Sequence, residues 1–279
     1  MEMESSLPEA KDPAAETTVS APLDLSEIDL SDYINDDDIK NRTSYEIDVK
    51  SIVQEPLSFT IDPEEPQILI IHTHGSEAYT PDGEDTYVES DPMRTENCEQ
   101  NVVRIGTELQ KAFESYGITA LHDTSLYDYP SYNGSYNRSM ESINAYLSKY
   151  PDIKMVIDLH RDAVDTSGDN PYVTTAQVDG QTASQVLMII GTDYSGLEHP
   201  DWQENLRLGL YLQSAMNYEY PGLTRPLKIS EYRYNQQATH GSLILEVGYC
   251  TNTLQQALTA VKAFAKSASD VLLTYAVEG

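Results

Sequence analysis

Three segments far apart in the chain place histidines and carboxylates where apolar runs stop. His72-Thr73-His74-Gly75-Ser76-Glu77 follows Ile68-Leu69-Ile70-Ile71, His160-Arg161-Asp162 closes Lys154 to Leu159, and Glu246-Val247-Gly248 continues Leu243-Ile244-Leu245. Imidazole nitrogen and carboxylate oxygen are the donors that catalytic zinc takes when one position stays open for water. Two histidines and a glutamate could be drawn from His72 or His74, from His160, and from Glu77 or Glu99. An extended backbone would turn His72 and His74 to one side, whereas a turn at Thr73 would separate them. Glu246 has a different chemistry open to it. A carboxyl group ending an apolar strand is desolvated, which raises its pKa toward a value useful to a general base.

Each group also has a plainer role. A strand-end histidine can bond a loop carbonyl, and Glu99 at a helix start can serve the helix dipole. Glu246 can pair with Arg161, which either neutralises that pair or grips a substrate carboxylate through two parallel bonds. Tyr79 is a second candidate substrate contact. His122, His199 and His240 have no such neighbours and are taken as structural.

The elements that must position these groups alternate in type. The apolar run 67–72 is short and unbroken, as in a strand buried on both faces of a parallel sheet. Val102, Ile105, Leu109, Ala112, Phe113 and Tyr116 recur at helical spacing, with Gly117 as a stop. Strands are expected over 118–121, 154–160, 185–191 and 243–247, and helices over 135–150, 201–218 and 254–276. This alternation predicts an α/β fold, with a mainly parallel central sheet flanked by helices. Open sheets of this kind gather ligands at the carboxyl ends of their strands, where the three segments fall. One domain is expected over 66–279. Ahead of it, 1–44 is polar and acidic and is expected to be a disordered linker. The loosely alternating 45–65 predicts an extended lead-in with one or two edge strands.

Bulk properties narrow the function. The formal net charge of −29 excludes nucleic acid as a natural partner, because phosphate binding needs clustered Lys and Arg. The two cysteines, Cys98 and Cys250, cannot build a disulfide scaffold and are either free thiols or a single pair. No apolar run approaches the roughly 20 residues that span a bilayer. The abrupt opening Met1-Glu2-Met3-Glu4 suggests that an upstream targeting segment is missing.

Four motifs carry a family resemblance. Ile71-His72-Thr73-His74-Gly75-Ser76-Glu77-Ala78-Tyr79, Asp158-Leu159-His160-Arg161-Asp162, Tyr234-Asn235-Gln236, and Leu245-Glu246-Val247-Gly248 with Asn252-Thr253 resemble, in that order, the stage II sporulation protein P family. The resemblance covers about 66–279 and places the chain with zinc-dependent N-acetylmuramoyl-L-alanine amidases. It implies an amidase-like domain with Zn2+ on His74, Glu99 and His160, and Glu246 as the catalytic carboxylate. The implied substrate is peptidoglycan, cut between the lactyl group of N-acetylmuramic acid and L-Ala, with an added endopeptidase activity on cross-linked stem peptides. The implied setting is septal wall degradation during engulfment, at the extracytoplasmic face of the membrane or septum, through an anchor absent from this sequence. The lytic transglycosylase of that pathway, stage II sporulation protein D, is the implied partner. One departure is that Thr73-His74-Gly75-Ser76 stands where the wider family has Gly-His-Gly-Gly.

Three rival functions follow from the same residues. An inactive wall-binding scaffold would have lost the ligands or Glu246. A zinc peptidase of unrelated peptides would commonly carry His-Glu-x-x-His, which is missing. A cysteine nucleophile at Cys98 or Cys250 would need a histidine base beside it.

Overall fold

The computed structural model describes residues 21–62, 64–164 and 172–276. Seven strands form one sheet: β1 (Ile39–Asn41), β2 (Ile68–Ile71), β3 (Ala120–His122), β4 (Met155–Asp162), β7 (Val186–Gly191), β8 (Leu227–Ser230) and β9 (Leu243–Tyr249). Their order is β1-β8-β7-β9-β4-β2-β3. Only β7 against β9 is antiparallel. A hairpin of β5 (Thr175–Val178) and β6 (Gln181–Ser184) stands apart. The mainly parallel sheet flanked by helices is therefore as expected.

Side-chain alternation sorts β2 between two cores. Ile68 and Ile70 join the larger one with α2 (Val102–Ser115), α4 (Trp202–Glu219) and α5 (Leu254–Tyr275). Leu69 and Ile71 face the smaller one, with Ile143 of α3 (Ser135–Lys149). Both faces are thus covered, which is why the run has no polar residue. The closing helix starts where Thr253 and Gln256 bond reciprocally to each other's backbone N–H, a capping box. Because β9, β4 and β2 are adjacent and parallel, the segments that leave them emerge side by side at one edge.

The N-terminal expectation needs correction. Residues 1–20 lie outside the described part, but 21–44 are not a disordered linker. Leu25, Leu30 and Ile34 are buried in the larger core, and β1 forms the sheet edge beside β8. Averaged composition hid these anchors, because the acidic residues between them do structural work. Asp29 caps the turn at Leu30, and Asn35 and Asp38 form a capping box. The backbone N–H of Leu23 donates to Asp270 on α5 at 2.7 Å. Over 45–65 the described residues contain no strand but a one-turn helix, α1 (Val49–Ile52). Strand β8 and the β5–β6 hairpin have no counterpart in the sequence-based expectation, since four residues carry too little pattern.

Candidate metal centre and catalytic site

The turn after β2 builds the first half of the site. Thr73 donates to Asp158 of β4 through its backbone N–H (2.8 Å) and its hydroxyl (2.6 Å). The chain then turns tightly against 125–126, and a Cβ at Gly75 would lie 2.8 Å from Leu126. This turn brings His74 and Glu77 over β4. His74 Nδ1 lies 3.7 Å from Glu77 Oε1, and His160 Nδ1 lies 3.4 Å from Glu77 Oε2. One donor atom from each of the three residues falls within 4.8 Å of the others, the one such group among the described residues. Across the strands, Glu246 of β9 sits in register with His160 of β4.

Electrostatics tie the group together. Burial disfavours charge on His160, but Asp158 and Glu77 outweigh it and push the imidazole well above its usual pKa. Glu77 is pulled down to about 2, against its burial, by His160 and Arg161. Burial and the neighbouring His160 lower His74 to about 4. Burial raises Glu246 to about 8. Arg94 braces Glu77 at 3.3 Å and Asp128 at 2.6 Å, and Asp128 in turn accepts from Ser76.

These residues fit a zinc ion. Ligands at roughly 2.0–2.1 Å around a tetrahedral ion lie about 3.3 Å apart, close to the two His–Glu77 spacings of 3.7 and 3.4 Å. His160 Nε2 forms an ion pair with Asp158 Oδ1 at 2.9 Å, which leaves Nδ1 as the nitrogen on the Glu77 side. Glu246 Oε2, beside the cluster, is buried with no hydrogen-bond partner. Buried polar atoms left unpaired are rare and call for a ligand, an ion or a water.

Several expected site residues are elsewhere. Glu99 is a surface residue, its side chain 80% exposed and 4.0 Å from Arg104, so Glu77 provides the carboxylate at the cluster. His72 points away, because the turn at Thr73 breaks the extended spacing. It bonds to the Leu159 carbonyl at 3.0 Å and meets His122 Nε2 at 2.8 Å. Arg161 is buried and donates from Nε to the Ala78 carbonyl and from Nη2 to that of Met93, so these donors are taken up in holding a loop. Tyr79 is also buried, with its hydroxyl on the Val247 carbonyl at 3.0 Å. Cys98 and Cys250 are free thiols, and Cys98 is held above its usual pKa by burial, the reverse of what a nucleophile needs.

The model of the family described as stage II sporulation protein P (SpoIIP) matches residues 1–269. The chain belongs to this family. Stage II sporulation protein P of Bacillus subtilis (strain 168) is 27% identical over 217 residues, 73% of this chain and 50% of that protein. The chain therefore spans about half the length of this relative. Solved structures with a similar course include the catalytic domain of the CD27L endolysin targeting Clostridia Difficile (12% identity, 77% of this chain and 100% of that one, TM-score 0.44). The CwlD amidase of Clostridioides difficile, in complex with the GerS lipoprotein, overlays 75% of this chain and 95% of its own (15%, 0.43). The amidase AmiC2 of Nostoc punctiforme covers 75% and 96% (11%, 0.40).

In this member of the SpoIIP family the site has aromatic and cationic walls. Tyr132 stacks on His74 at 4.5 Å, and Tyr136 meets it edge-on at 5.6 Å. Arg225 lies over the Tyr249 ring at 4.1 Å. Sequence reasoning missed Asp158, Arg94, Asp128 and Arg225. Asp158 did leave a signal, as a lone carboxylate inside the apolar run 155–159. Among the described residues no helix is long and apolar enough to cross a membrane.

Proposed function

We propose that this chain is a zinc-dependent peptidoglycan amidase, cutting between the lactyl group of N-acetylmuramic acid and L-Ala of the stem peptide during sporulation. The observation that carries the reading is the buried triad His74, Glu77 and His160, with Glu246 in register beside it. Membership of the sporulation family supports the setting. His74, Glu77 and His160 would hold the ion. Bound Zn2+ supplies a Lewis acid for the scissile carbonyl, a water acidified to a pKa of about 7, and a positive charge that draws Glu246 back toward neutral titration.

The protein's own groups do the rest. Glu246 takes a proton from the attacking water at its unpaired Oε2 and returns it to the leaving amine. Asp158 holds His160 from the side away from Glu77, and Arg94 and the Arg161 backbone N–H fix Glu77. Tyr132 and Tyr136 wall the His74 side and shield it from bulk water.

The test is digestion of purified peptidoglycan by the wild-type protein and by Glu246→Gln, each with zinc or with chelator, followed by mass spectrometry. Free stem peptides released only by wild type with zinc are the expected result. Release that survives the chelator, or that persists in Glu246→Gln, rejects the mechanism.

A further inference from the structure

Arg225 lies across β7 from Glu246, on the side of that strand away from β9. Its backbone N–H bonds to the Val186 carbonyl at 2.8 Å, while the next residue of β7, Leu187, is the register partner of Glu246. Its side chain is 9% exposed, nearly buried. One nitrogen, Nη1, donates to Asp162 at the end of β4 at 2.8 Å. The ring of Tyr249, at the end of β9, covers one face of the guanidinium. The other two nitrogens, Nε and Nη2, have no hydrogen-bond partner. Burial raises the Tyr249 hydroxyl's pKa, and the charge of the Arg225 guanidinium and a side-chain hydrogen bond from it oppose that rise; Nε and Nη2 themselves have no partner within hydrogen-bond distance and angle.

Two unpaired donors on one edge of a buried guanidinium form a fork, and a fork of that spacing matches the two oxygens of a carboxylate. Protein interiors pair nearly all their polar groups, so two unpaired donors there call for a partner. The fork is held rigid by Asp162 and Tyr249, which extend from the two strands that carry His160 and Glu246. We infer that Arg225 is a specificity-determining residue that binds a substrate carboxylate through Nε and Nη2. This rests on the peptidoglycan reading above and deepens it. In a stem peptide the nearest such group is the α-carboxylate of the second residue, D-glutamate, one residue past the scissile amide and so about 3.8 Å further along the chain. Tyr172, 58% exposed and edge-on to Tyr249, forms the outer part of the site wall.

The experiment compares two probes that differ at that group alone: N-acetylmuramoyl-L-alanyl-D-glutamate and its D-isoglutamine form, in which the α-carboxylate is an amide. Binding is measured by calorimetry to Glu246→Gln protein with added zinc, which removes turnover from the readout. Charge-assisted bonds of this kind predict that the carboxylate binds roughly tenfold or more tightly than the amide. Adding Arg225→Met, or Arg225→Lys as the milder change, should erase that preference and leave the amide probe's affinity nearly unchanged, which also shows that the variant is folded. Equal affinity for the two probes before Arg225 is changed, or an equal loss for both after it, overturns the assignment. Failure of both probes to bind defeats the muropeptide reading itself, and the subsite with it.

Discussion

Glu246 and His160 face each other across neighbouring parallel strands, and the two depart from their usual titration for different reasons. Burial raises Glu246 to about 8, whereas two carboxylates hold His160 protonated in spite of burial. One is a buried carboxyl group with an unpaired oxygen; the other is an imidazole held between Asp158 and Glu77. That division of roles orders the expectations below.

Glu246→Gln keeps the shape and removes the proton acceptor. Turnover should fall by roughly 10²- to 10⁴-fold, the usual contribution of a positioned acid–base group. Zinc should still bind with one ion per chain, and thermal stability near neutral pH should hold or rise, since a buried acid whose pKa folding raises to about 8 is removed. Metal analysis by mass spectrometry alongside the kinetics checks this. Loss of the metal together with activity would mean that Glu246 is a ligand.

Glu77→Ala and Glu99→Ala separate the two carboxylates that the sequence left as alternatives. Removing Glu77 should weaken zinc binding by more than the roughly 10- to 100-fold seen when only a partner of a ligand is lost. Removing Glu99, whose side chain is 80% exposed, should leave both affinity and activity as they were. Competition with a fluorescent chelator reads both variants. The opposite ranking would place the metal elsewhere.

The helices and central strands were legible because they are long and periodic, and the three chemical segments were legible because polar residues interrupt apolar runs. What pattern cannot show is direction after a strand ends. His72 and His74 look equivalent until Thr73 is seen to bond Asp158, which turns His74 into the site and leaves His72 against His122. Glu99 sits at a plausible helix start, yet the backbone carries it to the surface. Arg161 looked like a substrate clamp because its carbonyl partners, Ala78 and Met93, come from a loop 68 or more positions away in the chain. The N-terminal anchors Leu25, Leu30 and Ile34 are three apolar residues in an acidic stretch, too sparse to outweigh its composition.

In metal-free protein the Glu77–His160 pair should contribute most to stability in mildly acid solution. Glu77 falls from 4.5 to about 2 on folding, so its contribution is present above about pH 4.5 and is lost as pH drops toward 2. His160 rises from 6.5, so its contribution is complete below about pH 6.5 and fades as pH climbs through its raised folded value. The pair therefore favours folding most between about pH 4.5 and 6.5. Zinc reverses the alkaline side, because a ligating imidazole must lose its proton and binding tightens as pH rises. Melting temperatures across pH, with chelator and with zinc, should give two curves that diverge above pH 6.5. Parallel curves would separate His160 from the metal.

Gly106 on α2 shows how closely the helix approaches the strand ends. A Cβ there would lie 2.5 Å from His122 Nε2 and 2.6 Å from His72 Nε2, atoms that are themselves 2.8 Å apart. His72 cannot retreat freely, since its Nδ1 donates to the carbonyl of Leu159, the residue before His160. Gly106→Ala gains helix propensity of about 1 kcal/mol but inserts a methyl between two buried rings, an overpacking that typically costs about 1–3 kcal/mol. The net change should be destabilising, and the strain should pass through Leu159 to weaken zinc binding several-fold. Urea unfolding and zinc titration of the variant read the two effects separately. A variant that unfolds at higher urea than wild type would show that the rings move aside at no cost, and would leave the His72–His122 pair without a part in holding His160.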